Sequence, residues 1–219
     1  MKRSIITTND GSTTIHLADW NETYHSKHGA IQEAYHVFIK NGLALFDHQS
    51  LSILEIGFGT GLNCFITYLE SSKNDRIVHY TGVEAYPIDL SEAIQMNYPD
   101  QIGASEKNIF KTLHECAWNQ ENSIASNFIL TKRKQFFQEI NDIDTYDLIY
   151  FDAFGYRVQP ELWSDDIFIA MYKALKDNGV LVTYACRTSI KKAMLSAGFY
   201  VEKLPGAPGK REMLRAIKK

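Results

Sequence analysis

The chain has 219 residues, 45% of them hydrophobic, 12% aromatic and 22% charged, with 23 Lys and Arg against 26 Asp and Glu for a formal net charge of −3. That suits one α/β domain with a large core and excludes both a disordered chain and a general nucleic-acid coat. No apolar run approaches the ~18 residues of a membrane span, Met1–Thr8 turns polar too soon for a signal peptide, and Cys64, Cys116 and Cys186 are too dispersed for a disulfide framework or a zinc site, so a soluble cytoplasmic protein without membrane or metal partners is expected.

Residues 1–50 predict a small hairpin-and-helix extension packed on a main domain over 51–219. Asn9-Asp10-Gly11-Ser12 is a turn signal between the β-prone stretches 4–8 and 13–17. Ile31, Ala34, Val37 and Phe38 have helical spacing within 29–40, and Gly42 suits the C-terminal cap. From Leu51 strands and helices alternate. Strands are predicted over 51–56, 77–83, 128–130, 147–151 and 180–185. Helices are predicted over 62–69, 90–97, 164–175 with Ser164 as N-cap, and 189–197. Residues 98–125 leave a further helix open. Tyr200–Leu204 and Met213–Ile217 pair across the Pro205–Arg211 loop. Strand–helix alternation implies a mostly parallel sheet covered on both faces through right-handed crossovers. With the terminal antiparallel hairpin, the expected α/β fold is the class I, Rossmann-like methyltransferase arrangement of seven strands.

The chemistry-bearing stretch is Glu55-Ile56-Gly57-Phe58-Gly59-Thr60-Gly61, which follows a strand and opens a helix. Its glycines let the backbone turn tightly and approach a ligand, and the helix start offers free N–H groups. Dinucleotide sites use the spacing G-x-G-x-x-G. Here the spacing is G-x-G-x-G, preceded by a carboxylate that would repel a pyrophosphate. Glu55 instead suits S-adenosyl-L-methionine, which carries an ammonium and a sulfonium. Glu84 ends the second strand, where a carboxylate accepts both ribose hydroxyls. The bland alternative is a glycine-rich turn with no ligand.

Asp152 follows the apolar strand 147–151, at the crevice where open α/β sheets bind ligands. A carboxylate there is costly unless it has a partner or a task. Facing a sulfonium, it would hold a substrate amine and accept its proton. A turn or helix cap is the other reading. Phe154 and Trp163 suit either stacking on a base or adenine, or ordinary packing. Tyr24, His25, His28 and His36 surround a helix start, as pocket-lining or as surface and capping residues. From Arg187 to Lys219, nine Lys and Arg face only Glu202 and Glu212, so this segment carries +7 and the rest −10. That asymmetry permits an anionic partner, although a solvated basic tail gives the same count.

Four blocks resemble one family, the methyltransferase domain of the bifunctional tRNA 5-methylaminomethyl-2-thiouridine biosynthesis proteins and its stand-alone relatives. They are Glu22–Phe38, Glu55–Asn63, Phe151–Trp163 and Gly209–Leu214. The resemblance implies methylation of the terminal amine of 5-aminomethyl(-2-thio)uridine at the tRNA wobble position, with the anticodon loop of tRNA as partner. It implies Asp152 beside the reactive methyl. Glu55, Gly57, Phe58, Gly59, Thr60, Gly61, Asn63, Glu84 and Asp152 would surround the cofactor. Tyr24, His25 and Phe154 would face the uridine, and Lys210 and Arg211 the flanking phosphates. Two departures stand out. A fused FAD-dependent oxidoreductase has no room in 219 residues, so a separate enzyme is expected to make the aminomethyl uridine. The family's Gly-Asp after the third strand is replaced by Leu130-Thr131-Lys132-Arg133-Lys134, which leaves the adenine contact unassigned or to a backbone group. The competing functions are a small-molecule or protein amine methyltransferase on the same fold, and a noncatalytic RNA-binding relative.

Overall fold

The computed structural model describes residues 3–219; Met1 and Lys2, which open the expected extension, lie outside the described residues. Strands β1 (Arg3–Thr7) and β2 (Thr13–Leu17) form the hairpin, with Ile5 opposite Ile15, and β3 (Glu22–Thr23) adds to β2. The turn is closed by the Asp10 carboxylate, which accepts hydrogen bonds from Ser12 N at 3.0 Å and Thr8 Oγ1 at 2.7 Å. Helix α1 (Ala30–Ala34) runs on through a wider π-type segment, Tyr35–Lys40. Gly42 is not the left-handed cap expected of it. Its φ is −123, and a Cβ there would lie 2.5 Å from Phe38 O, so close packing is what calls for glycine.

The main domain follows as β4 (Ser50–Ile56), α2 (Leu62–Ser72), β5 (Ile77–Val83), α3 (Leu90–Ala93), α4 (Tyr98–Ile102), α5 (Lys107–Glu115), β6 (Glu121–Ala125), β7 (Phe128–Arg133), β8 (Tyr146–Phe151), α6 (Asp165–Ala174), β9 (Leu175–Thr183), α7 (Thr188–Ser196), β10 (Tyr200–Pro205) and β11 (Glu212–Ile217). The sheet has eight strands rather than seven, in the order β10-β11-β9-β8-β4-β5-β7-β6. The extra strand is β6, antiparallel to β7 at one edge. It lies within the segment left open, 98–125, which otherwise forms α4 and α5. Helix α3 stops at Ala93, short of the expected 97. Asn97 instead ties the hairpin to the domain, its Oδ1 accepting from Thr13 N at 2.9 Å and its Nδ2 donating to Gly11 O at 2.9 Å. Ser164 stands at the N-cap of α6 but makes no side-chain cap bond; Asp165 and Asp166 supply the negative charge favoured in a first turn.

Strand period explains what positions the site. Side chains alternate between faces. Leu51 and Ile53 of β4, Val78 and Tyr80 of β5, and Leu148 and Tyr150 of β8 share one core with α2 and with Ile15, Leu17, Val37 and Phe38 of the extension. Leu54, Ile56, Ile149 and Phe151 face the other core, under α6 and α7. Each fully buried Leu, Ile or Phe contributes about 1.5–3 kcal/mol. Carried forward by two from Ile53 and Tyr150, and by four from Tyr80, the first face reaches Glu55, Asp152 and Glu84. All three carboxylates therefore approach from the extension's side. The strand order reverses between β4 and β8, whose parallel pairing ends at Ile56 opposite Phe151. The site lies just beyond that pair, at the switch point.

Candidate active site

The loop from Gly57 to Gly61 leaves β4 with φ values of +89 at Gly57, +49 at Gly59 and +71 at Gly61. The amides of Gly57 and Phe58 both donate to Val83 O at 3.0 Å, and Asp152 N donates to Ile56 O at 2.9 Å. A Cβ on Gly57 would lie 2.6 Å from Asp152 O. Only glycine therefore permits both the left-handed turn and the close approach of the two strand ends.

Glu84 is fixed by two backbone donors, Gly59 N at 3.1 Å and Tyr86 N at 2.9 Å. Burial nevertheless pushes its carboxyl upward, against those hydrogen bonds and the charge of Arg3. Asn63, at the start of α2, bridges two carboxylates: its Nδ2 donates to Glu55 Oε1 at 2.9 Å and to Asp152 Oδ2 at 2.8 Å. Asp152 is pushed up to about 7, chiefly by burial. Glu55 is fully buried, which drives its pKa well above the carboxylate range despite the Asn63 bond. Two buried carboxyl groups, both pushed upward by burial, thus share one amide.

Glu84, Asn63 and Asp152 open onto a cavity of about 870 Å³, at the upper end of cofactor and ligand sites. Of the residues expected at the site, the cavity brings together Tyr24, His25, Gly57, Phe58, Gly59, Thr60, Asn63, Glu84, Asp152, Phe154 and Lys210. Glu55, Gly61 and Arg211 do not line it. Glu55 sits behind Asn63, Gly61 turns into α2, and Arg211 is exposed. His25 Nδ1 meets Thr14 Oγ1 at 3.1 Å and its Nε2 meets Thr60 Oγ1 at 3.4 Å, tying the extension to the glycine loop. Burial, helped by the charge of Lys210, lowers His25 to about 4, so the ring is neutral. Phe154 packs edge-on against Tyr24 at 5.0 Å and Trp20 at 5.6 Å between ring centroids. Trp163 is a core residue, 2% exposed, its Nε1 donating to Phe154 O at 2.8 Å.

Lys210 departs from expectation. It does not reach outward for phosphates but forms an ion pair with Glu33, with its Nζ 3.9 Å from the centroid of the Tyr184 ring. Glu33, Tyr184, Tyr86 and Phe136 line the cavity without having been foreseen. The strand alternation Val180, Val182, Tyr184 carried a signal for Tyr184. Glu33 lay within the family-like N-terminal block, but its burial is tertiary. Lys132, in the stretch that follows the third parallel strand's start, is fully buried and donates to His114 O at 2.7 Å, so it is structural. Among the described residues no group of three or more His, Cys, Asp or Glu could hold a metal ion, and no helix is long and apolar enough to cross a membrane.

A glycine loop that a Cβ would fill, a carboxylate anchored by two backbone amides and a second carboxylate at the switch point make a donor set that fits S-adenosyl-L-methionine. Comparison with known proteins agrees. The chain is 28% identical over 219 residues to the "tRNA 5-methylaminomethyl-2-thiouridine biosynthesis bifunctional protein MnmC" of Delftia acidovorans, covering 90% of this chain and 32% of that protein. It is 30% identical over 217 residues to the protein of the same name from Burkholderia multivorans, covering 89% and 32%. The chain thus spans about a third of the length of these curated relatives. A crystal structure of MnmC2 from Aquifex aeolicus matches with a TM-score of 0.80 at 23% identity, covering 100% of this chain and 70% of that one. A spermidine synthase structure matches with a TM-score of 0.59 at 15% identity over 99% of this chain and 70% of that one, and shares the fold. The S-adenosyl-L-methionine-dependent methyltransferase family matches residues 100–219, more than half of the chain, and this chain belongs to that family.

Proposed function

We propose that the chain methylates the aminomethyl group of 5-aminomethyl(-2-thio)uridine at the tRNA wobble position. The observation that carries this reading is Asp152: a carboxylate raised to about 7, held by Asn63 and open to the cavity beside the glycine loop. A group poised near neutrality accepts a proton from an ammonium and leaves the lone pair that methylation needs. The names of the MnmC relatives, which speak of tRNA 5-methylaminomethyl-2-thiouridine biosynthesis, support a tRNA uridine as substrate class.

In this reading the backbone of Gly57–Thr60 holds the methionine end of the cofactor, and Glu84 accepts the ribose hydroxyls. Tyr86 and Phe136 flank the adenine end, taking the place of the acidic residue replaced by the Leu130–Lys134 stretch. Bound there, S-adenosyl-L-methionine supplies an electrophilic methyl group. Glu55 acts indirectly, as a buried partner that orients Asn63, and Gly61 acts by starting α2. Tyr24, His25 and Phe154 form the wall against which a splayed uracil stacks; loop bases are extruded far more cheaply than paired ones. The extension over 1–50 serves as that wall, and 51–219 as the catalytic domain. Arg211, exposed at the rim, meets the anticodon-loop phosphates. The aminomethyl group must come from a preceding reaction that unmasks the amine, and a tRNA substrate puts the protein in the cytoplasm.

The test is mass spectrometry of wobble nucleosides from a strain lacking the protein. Aminomethyl uridine should accumulate at the expense of methylaminomethyl uridine. An unchanged nucleoside profile would favour a small-molecule amine as substrate.

A further inference from the structure

The cavity holds a carboxylate and an aromatic face that the proposed reaction does not use, Glu33 and Tyr184. Glu33 is 9% exposed, and its Oε2 accepts a hydrogen bond from Ser26 N at 3.1 Å. Its Oε1 has no hydrogen-bond partner and is answered only by the ion pair with Lys210. Tyr184 donates its hydroxyl to Ala153 O at 2.8 Å, which fixes its ring one residue from Asp152. The Nζ of Lys210 lies 3.9 Å from the centroid of that ring. A desolvated carboxylate and an aromatic face are what hold an alkylammonium group. The ammonium present here is the chain's own.

Lys210 is placed to be exchanged. It sits in the loop between β10 and β11, preceded by Gly206 and Gly209, the latter with φ +84. The loop touches the extension through His36 Nε2, which meets Pro205 O at 2.9 Å. We propose that Glu33, Tyr184 and Asp152 form a receptor for a primary alkylammonium, which Lys210 occupies as a stand-in until the substrate's aminomethyl group displaces it. The inference rests on the amine-methyltransferase reading above. It also reconciles the two roles of Lys210. With substrate absent its charge neutralises Glu33; with substrate bound, one ammonium has replaced another, and Lys210 is released beside Arg211 at the rim. A neutral group of the same shape gives Glu33 no cation in return, so the receptor selects charged amines over alcohols.

The test titrates benzylammonium and its neutral isostere benzyl alcohol into the full chain loaded with S-adenosylhomocysteine, followed by NMR. An occupied receptor weakens binding in proportion to the fraction that is blocked, so Lys210→Met should tighten benzylammonium binding roughly tenfold. Benzyl alcohol should be unaffected, and Lys210→Arg, which keeps a cation in place, should show no gain. Glu33→Gln added to Lys210→Met should abolish the gain. Unchanged or weaker benzylammonium binding in Lys210→Met overturns the proposal, with S-adenosylhomocysteine affinity reporting that the variant is folded and Lys210→Gln as a second replacement. 5-Aminomethyluridine run in parallel separates the two readings. If benzylammonium gains and the nucleoside does not, the receptor stands and the wobble-uridine reading fails.

Discussion

Replacing Asp152 by asparagine should stabilise the protein while disabling it. Burial, with the charge of Glu33 adding to it, pushes the Asp152 carboxyl from 3.8 up to about 7, against the Asn63 hydrogen bond and the charge of Lys210. A folded-state pKa above the unfolded value means stability that is complete below the unfolded value and is lost as pH rises through the folded one. The window here runs from 3.8 to about 7. At about 1.4 kcal/mol per pH unit the whole shift is on the order of 4 kcal/mol. Asp152 keeps partial contact with solvent through the cavity, and screening reduces the effect to roughly ~2 kcal/mol. Asparagine keeps the volume and never ionises. Urea unfolding should therefore show Asp152→Asn more stable than wild type by ~2 kcal/mol near pH ~8.5, with the gap closing near pH ~4. Turnover should fall by roughly 10²-fold or more, the scale of a positioned acid–base group. A variant that unfolds more easily than wild type near pH ~8.5 would show instead that the carboxylate is a stabilising cap.

Three other outcomes follow from the same geometry. Glu84→Ala removes the acceptor fixed by Gly59 and Tyr86, and calorimetry should show S-adenosyl-L-methionine affinity reduced by about 1.5–3 kcal/mol; unchanged affinity would move the ribose elsewhere. Gly57→Ala forces a side chain onto φ +89 with its Cβ 2.6 Å from Asp152 O, so unfolding should become easier by about 1–3 kcal/mol, and a wild-type melting temperature would mean the loop relaxes freely. His25 and His114, both held near 4 chiefly by burial, should remain neutral by ¹⁵N NMR well below the ordinary histidine range, and titration near 6.5 would show that water reaches both rings.

The order of strands and helices was legible because parallel strands buried on both faces read as apolar runs between helical spacings. β6 was not, since Glu121–Ala125 is a short edge strand with polar residues in three of five positions. α3 fell short for another reason: Asn97 has better partners in the hairpin turn than in a helix, and no local pattern reports a partner that distant in sequence. At the site, the glycine loop, Glu84 and Asp152 could be placed from strand ends alone. Depth could not be read. Glu55 has the parity of Leu51 and Ile53, but Asn63 covers it, so it braces the wall instead of forming it. Lys210 was read as a surface cation because loop lysines usually are. The buried Glu33 that turns it inward lies on α1, far away in sequence. Trp163 illustrates the converse: an aromatic suited to stacking became core once Phe151 and Phe168 closed around it.

The reaction we propose is methyl transfer to an aminomethyl uridine in tRNA. The direct measurement incubates the protein with methyl-labelled S-adenosyl-L-methionine and tRNA from cells that accumulate the aminomethyl form, then digests the RNA and separates the nucleosides. Label is expected in 5-methylaminomethyl uridine. Absence of label there, with a protein shown by calorimetry to bind the cofactor, would contradict it.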